Sequence, residues 1–223
     1  MASLSERLAA FGQEWAAAPL PEALRDHAKL AILDTIGLCL AACRGDDTLS
    51  VREELAALGP PGKATVVGRA GKLAGHTAAL VNGWLAHVDD YDDTHQKSVT
   101  HVSAVVVPAA LAAAEEAGVD GTALLRAVVL GSETMIRVGL MAKGSFHATG
   151  FHTTGVAGAL GATMAAATTM QLDPARTADA LGIAGSMASG LLEFLADGAT
   201  VKRLHAGWAA KAASPRRGWR VPA

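Results

Sequence analysis

The chain has 223 residues, which is enough for one or two domains and for a substantial buried core. Hydrophobic residues make up 51% of it and aromatic residues only 4%, so the interior must be built mainly from Ala, Leu and Val. A net charge of −2 argues against a nucleic-acid partner, and the apolar runs are too short or too rich in Gly, Thr and Pro to predict a membrane span.

The N-terminal sequence MASLSERLAAFGQEW carries acidic residues early and lacks the apolar stretch of a secretory signal. We therefore expect a cytoplasmic protein with no membrane partner. In the first predicted helix, apolar residues follow helical spacing at Leu4, Leu8, Phe11 and Trp15.

Helical periodicity continues along most of the chain, and Asp173-Pro174 is typical of a helix start. The predicted helices cover residues 4–18, 21–43, 48–58, 73–88, 104–117, 121–141, 154–171, 174–188 and 190–196, with a last one over 204–213. The only β-like run is ATVVG at 64–68, which is too short to found a sheet. The pattern predicts one all-α domain whose loops carry the chemistry.

The most unusual stretch is HVDDYDDTHQKSVTH, residues 87–101, with four Asp and three His in fifteen residues. Metal-site spacings such as the EF-hand loop or the zincin helix do not fit it. One alternative is a metal-dependent hydrolase with His87, His95, Asp89 and Asp93 as ligands, and another is a solvated acidic loop. The third is acid–base chemistry, because an Asp beside a His raises the pKa of the imidazole and fixes its tautomer.

Two further segments supply groups that act on an anion. GFHTTGVAGALG (150–161) places His152 and Thr153 at a predicted helix N-terminus, where backbone N–H groups favour a carboxylate. FLADGATVKRLHAGWAAK (194–211) clusters Lys202, Arg203 and His205 after a glycine. Together with a carboxylate-paired His, these groups suit proton abstraction beside a substrate carboxylate.

Five stretches, in this order and spacing, resemble the MmgE/PrpD family: LAILDTIGLCLA, ATVVGRAGKLAGHTAALVNGWLAHVDDYDDTH, SVTHVSAVVVPAALAAAE, GFHTTGVAGALGATMAAA and ALGIAGSMASGLLEFLADGATVKRLHAGWAAK. The resemblance covers about residues 4 to 213. It implies a helical domain that carries most of the active site, a smaller α/β lid domain, and a homodimer. It also implies chemistry on small di- or tricarboxylates without a metal or cofactor.

The resemblance also implies roles for single residues. The DxDDT pattern of the family falls on Asp90, Asp92, Asp93 and Thr94, its THxS histidine on His101, its GFH histidine on His152, and its KxLH pair on Lys202 and His205. We expect catalytic roles for His101, His152, Lys202 and Asp90. Substrate-binding roles are expected for Asp93, Thr94, Thr153 and His205.

The C-terminal end departs from the family pattern. After HAGWAAKAA the sequence continues as SPRRGWRVPA, with Pro215 where the family has a helix. We therefore expect a helical domain over residues 1–213 without the lid, followed by an aberrant tail at 214–223 from truncation or a frameshift. The expected function is that of a lyase that dehydrates a polycarboxylate such as 2-methylcitrate. The alternatives are a cis-aconitate-type decarboxylase, a dicarboxylate epimerase or an inactive truncated form.

Overall fold

The computed structural model describes residues 2–142 and 144–212, and the predicted tail at 214–223 lies outside these residues. The predicted all-α class is confirmed within them. The helices are α1 (Leu4–Ala17), α2 (Glu22–Ala42), α3 (Asp46–Ala56), α4 (Gly75–Ala86), α5 (Ser103–Ala117), α6 (Gly121–Ala142), α7 (Ser145–Ala148), α8 (Thr153–Thr169), α9 (Pro174–Met187), α10 (Phe194–Asp197) and α11 (Lys202–Lys211). A two-stranded sheet, β1 (Pro61–Thr65) and β2 (Lys72–Leu73), precedes α4.

Two helix starts show why the sequence predicts them well. Ser3 and Glu6 form a capping box at α1, in which the Glu6 N–H donates to Ser3 Oγ at 3.2 Å and the Ser3 N–H donates to Glu6 Oε2 at 2.6 Å. At α9, Asp173 Oδ1 accepts the Arg176 N–H at 2.9 Å, and Pro174 takes the first helical position. These caps satisfy N–H groups that a helix leaves without partners.

The run ATVVG at 64–68 was expected to be too short to form a sheet, and this expectation is wrong. Strand β1 begins at Pro61, before the run, and pairs antiparallel with β2. The rest of the run is held by Asn82 on α4, whose Nδ2 donates to Thr65 O at 2.8 Å and whose Oδ1 accepts the Val67 N–H at 2.9 Å. Beyond residue 65, hydrogen bonds to the side-chain amide of Asn82 therefore take the place of strand pairing, and they attach the hairpin to α4.

The helix predicted over residues 190–196 forms only as α10. The preceding residues pair with the chain before α8: the His152 N–H donates to Gly190 O at 2.9 Å, and the Leu192 N–H donates to Gly150 O at 2.8 Å. Gly190 has a φ of 126°, a value that favours glycine and interrupts a helix. These two hydrogen bonds fix the backbone of His152 from outside its own helix.

Three helices form the centre of the fold. In α4, α5 and α8 most residues are buried, and α4 exposes only His76 to any degree. Helices α6 and α11 pack against this centre. The burial comes from contacts between helices, and none of the described helices is long and apolar enough to cross a membrane.

A close helix crossing joins α4 to α11. A Cβ atom added at Gly83 would lie 2.8 Å from Gly207 Cα, and one added at Gly207 would collide with the carbonyl oxygen of Leu80. Glycine at both positions lets the two backbones touch. The contact brings the start of α11, with Lys202 and His205, toward the loop that follows α4.

We expect Gly207→Ala to destabilise the protein by about 1–3 kcal/mol, because the added methyl group meets backbone atoms that cannot move independently. Gly182→Ala in α9 is the matched control. A Cβ there meets nothing within 4 Å, so this variant should be stabilised by about 0.4–1 kcal/mol. Urea unfolding measures both. Equal stability of the two variants would contradict the close crossing.

Candidate active site

The three segments singled out from the sequence meet in the fold. The loop after α4 supplies His87 and His101, the start of α8 supplies His152, and the first turn of α11 supplies Lys202 and His205. Ring centroids lie 4.7 Å apart for His87 and His101, 6.5 Å for His101 and His152, and 5.3 Å for His152 and His205. The expected catalytic residues therefore form one cluster, together with His87.

Asp90 and Lys202 form the charged edge of this cluster. Lys202 Nζ donates to Asp90 Oδ1 at 2.5 Å and to Oδ2 at 2.6 Å, and Asp90 Oδ1 also lies 3.7 Å from His101 Nε2. Partial burial by itself would raise the pKa of Asp90, but the hydrogen bond and charge of Lys202 outweigh it, so this pKa lies below its ordinary value. Asp90 is consequently an anion held at the ammonium of Lys202.

Asp92 is a buried carboxylate shared by two imidazoles. Its Oδ1 and Oδ2 lie 2.8 and 3.0 Å from His87 Nδ1, and Oδ2 lies 3.3 Å from His101 Nδ1. Burial would raise the pKa of Asp92, but the hydrogen bonds from His101 and His87 hold it far below its usual range. The sequence interpretation gave Asp92 no role of its own, although it stands within the DxDDT pattern.

His152 and His205 form a second pair. Their Nδ1 atoms lie 3.1 Å apart, so one of these nitrogens carries a proton and the other accepts it. Burial, followed by the positive charge of neighbours beginning with His205, lowers the pKa of His152 to about 3. Burial and the charge of His87 lower the pKa of His205 as well. This pair is therefore neutral at pH 7 and offers uncharged donors and acceptors.

We expect the free energy of unfolding to fall as the pH drops from about 6.5 toward 4.5, because the unfolded chain then protonates His152 whereas the folded chain does not. For one proton the slope reaches up to about 1.4 kcal/mol per pH unit. Urea unfolding across this range measures it. His152→Gln should flatten the slope, and His27→Gln, at an exposed position of α2, should leave it unchanged. Equal slopes in the wild type and His152→Gln would contradict the shift.

The remaining residues with predicted substrate-binding roles differ in how close they lie to the cluster. Thr94 Oγ1 lies 3.3 Å from His101 Nδ1, within the cluster. Asp93 Oδ1 accepts the Ser103 N–H at 2.9 Å, which holds the start of α5. Thr153 is buried as the first residue of α8. The substrate-binding roles of these residues stay predictions.

The metal-ligand set suggested by the sequence is not assembled. His95 Nδ1 bonds to Ser98 Oγ at 2.8 Å, and Asp93 is engaged at α5. Among residues 2–142 and 144–212, the group whose ligand-type atoms lie within 4.8 Å of one another is instead His87, Asp90, Asp92 and His101. Within this group, Asp90 is already paired with the ammonium of Lys202.

An open hollow of about 440 Å³ lies beside the histidine cluster. Its walls include His205 together with Leu191, Phe194, Val201 and Trp208. Phe194 also packs against His152, with ring centroids 5.7 Å apart. The second histidine pair therefore has an apolar wall on one side and the charged groups on the other.

Comparison with known proteins identifies the family to which the chain belongs. Residues 6–214 match the family model for the MmgE/PrpD N-terminal domain. The chain is 31% identical over 198 residues to a cis-aconitate decarboxylase of Aspergillus terreus, covering 86% of this chain and 40% of the relative. It is 30% identical over 200 residues to the cis-aconitate decarboxylase-like protein oryM of Aspergillus oryzae, covering 86% and 41%. The chain thus spans about two fifths of these relatives' length, and it belongs to the MmgE/PrpD family through its N-terminal domain.

Proposed function

We propose that the chain supplies the proton-transfer and carboxylate-binding groups of a lyase that acts on a small polycarboxylate. The observation that carries the proposal is the contact of Lys202 with Asp90 beside the imidazole of His101. A substrate carboxylate can replace the Asp90 carboxylate at Lys202, which places the neighbouring carbon atom near His101 Nε2. Family membership and the decarboxylase relatives support the same class of reaction.

The first candidate reaction is decarboxylation of a cis-aconitate-like substrate, which the names of the relatives favour. In this reaction the bond between a carbon and its carboxylate breaks, carbon dioxide leaves, and the electron pair stays on the carbon skeleton. His101 in its protonated form then gives a proton to that skeleton. Lys202 neutralises the negative charge that develops on the remaining carboxylates.

The second candidate is dehydration of a hydroxy-tricarboxylate such as 2-methylcitrate. Here His101 takes a proton from the carbon beside a carboxylate, the electron pair forms the double bond, and the hydroxyl group receives a proton and leaves as water. The proton that the hydroxyl group receives can be the one that His101 took, relayed through the neutral His152–His205 pair, whose Nδ1 atoms lie 3.1 Å apart. In both reactions negative charge develops beside a carboxylate, and the same positively charged groups neutralise it.

Incubating the purified chain with cis-aconitate, 2-methylcitrate and citrate, and following the products by proton NMR, tests the proposal. We expect loss of carbon dioxide from cis-aconitate or loss of water from one of the other two. A parallel series with EDTA should give the same rates, since Lys202 rather than a metal supplies the positive charge. If the chain converts none of the three, or loses activity with EDTA, the proposal is wrong.

A further inference from the structure

We infer that Asp92 and His87 form a buried positioning pair that fixes the tautomer of His101, so that Nδ1 carries the proton and Nε2 is left for the substrate. The catalytic consequence rests on the function proposed above, whereas the tautomer itself does not. Neither residue is expected to touch the substrate, since the side chains of His87 and Asp92 are 0% and 1% exposed.

The first step of the argument is the hydrogen bonding of Asp92. An ionised carboxylate only accepts hydrogen bonds, so each imidazole nitrogen that contacts it must carry a proton. His87 Nδ1 lies 2.8 Å from one oxygen of Asp92, and His101 Nδ1 lies 3.3 Å from the other. Asp92 therefore selects the Nδ1–H form of both rings, as carboxylates do when they orient a catalytic or metal-binding histidine.

The second step is the orientation of His101. Its backbone N–H donates to Thr154 Oγ1 at 3.0 Å, which ties the residue to α8, and Thr94 Oγ1 lies 3.3 Å from its Nδ1. The opposite nitrogen, Nε2, lies 3.7 Å from Asp90 Oδ1 beside Lys202. The other titratable neighbours are His87 and His152, whose ring centroids lie 4.7 and 6.5 Å from that of His101.

The third step concerns His87. Its Nε2 is buried and makes no hydrogen bond in the described structure, and leaving such a group without a partner carries a free-energy cost. An apolar residue at this position would avoid that cost. The favourable contribution of His87 is the hydrogen bond from its Nδ1 to Asp92. This bond holds the carboxylate in the orientation in which it also reaches His101.

The test is a measurement of the His101 tautomer by ¹⁵N NMR of histidine-labelled full chain, at a pH where the ring is neutral. In the wild type we expect the Nδ1–H form. Asp92→Asn should raise the Nε2–H population severalfold, because an amide can also donate to Nδ1. His87→Leu should have a smaller effect in the same direction. His87→Asn keeps a donor near the position of Nδ1 and should retain the wild-type tautomer.

Circular dichroism of each variant shows whether it folds. A wild-type His101 in the Nε2–H form overturns the inference without any variant, and so does an unchanged tautomer in a folded Asp92→Asn. If the proposed function holds, Asp92→Asn should also lower kcat at least about a hundredfold with a smaller change in KM. The expected tautomers in a chain that turns over no substrate would leave the inference standing and reject the function alone.

Discussion

Replacing Lys202 by Met is expected to lower kcat/KM for the polycarboxylate substrate by about a hundredfold to a thousandfold. Lys202 Nζ holds both oxygens of Asp90, and its side chain is only partly exposed, so its charge is weakly screened by solvent. In the proposed reactions the same ammonium neutralises the negative charge that builds up as carbon dioxide or water leaves. Removing one preorganised group of this kind costs about 2.7–4 kcal/mol of transition-state stabilisation.

The matched control is Lys211→Met, at the other end of the same helix. The Lys211 ammonium lies 4.8 Å from the ring centroid of Trp208. This variant makes the same change in charge and shape on α11, and we expect its kcat/KM to stay within about twofold of the wild type. If both variants lose activity equally, the effect of Lys202 is one of net charge or of helix stability.

A second readout separates charge from shape. In Lys202→Met the burial that raises the pKa of Asp90 remains while the ammonium that lowers it is gone, so the pKa of Asp90 should rise. Lys202→Arg keeps the charge and should keep the pKa of Asp90 low. Carboxyl ¹³C NMR of Asp90 follows both variants. An unchanged Asp90 pKa in Lys202→Met would contradict the ion pair itself.

Much of the helical architecture could be predicted because apolar spacing and capping residues act locally. The helices α1, α2 and α9 begin and end within a few residues of the prediction. The segment 190–193 could not be predicted, because its backbone pairs with residues 150–152 from a distant part of the sequence. A local apolar pattern carries no information about that partner, and the tertiary hydrogen bonds override it.

The cluster was predicted from three segments of the sequence and from the resemblance, whereas the separate environments of its acidic residues were not. Asp89, Asp90, Asp92 and Asp93 lie within five positions, and each has a different environment. Asp89 is exposed, Asp90 faces Lys202, Asp92 is buried between two imidazoles, and Asp93 holds the start of α5. A positive φ of 54° at Asp90 turns the chain between them, and positive φ is uncommon enough outside glycine that sequence gives no warning of it.

His101→Ala is expected to lower kcat by about a hundredfold to ten-thousandfold, since a positioned general acid or base contributes that much. His101 is the histidine that combines a carboxylate on Nδ1 with a second nitrogen beside the Lys202–Asp90 pair. The neutral His152–His205 pair lacks such a carboxylate among its described contacts, so it should not substitute for His101. Turnover of the preferred polycarboxylate, measured at saturating concentration, gives the loss directly.

A comparison with His101→Gln distinguishes proton transfer from binding. Glutamine retains hydrogen bonding but cannot exchange a proton near neutral pH, so it should be as slow as alanine if His101 moves a proton. Free imidazole added to His101→Ala should restore part of kcat, because the vacated space lies between Asp92 and Asp90, which bind the added ring as they bind His101. A His101→Gln variant with near-wild-type kcat would reduce His101 to a substrate-binding residue, and the proton would then have to pass through the His152–His205 pair.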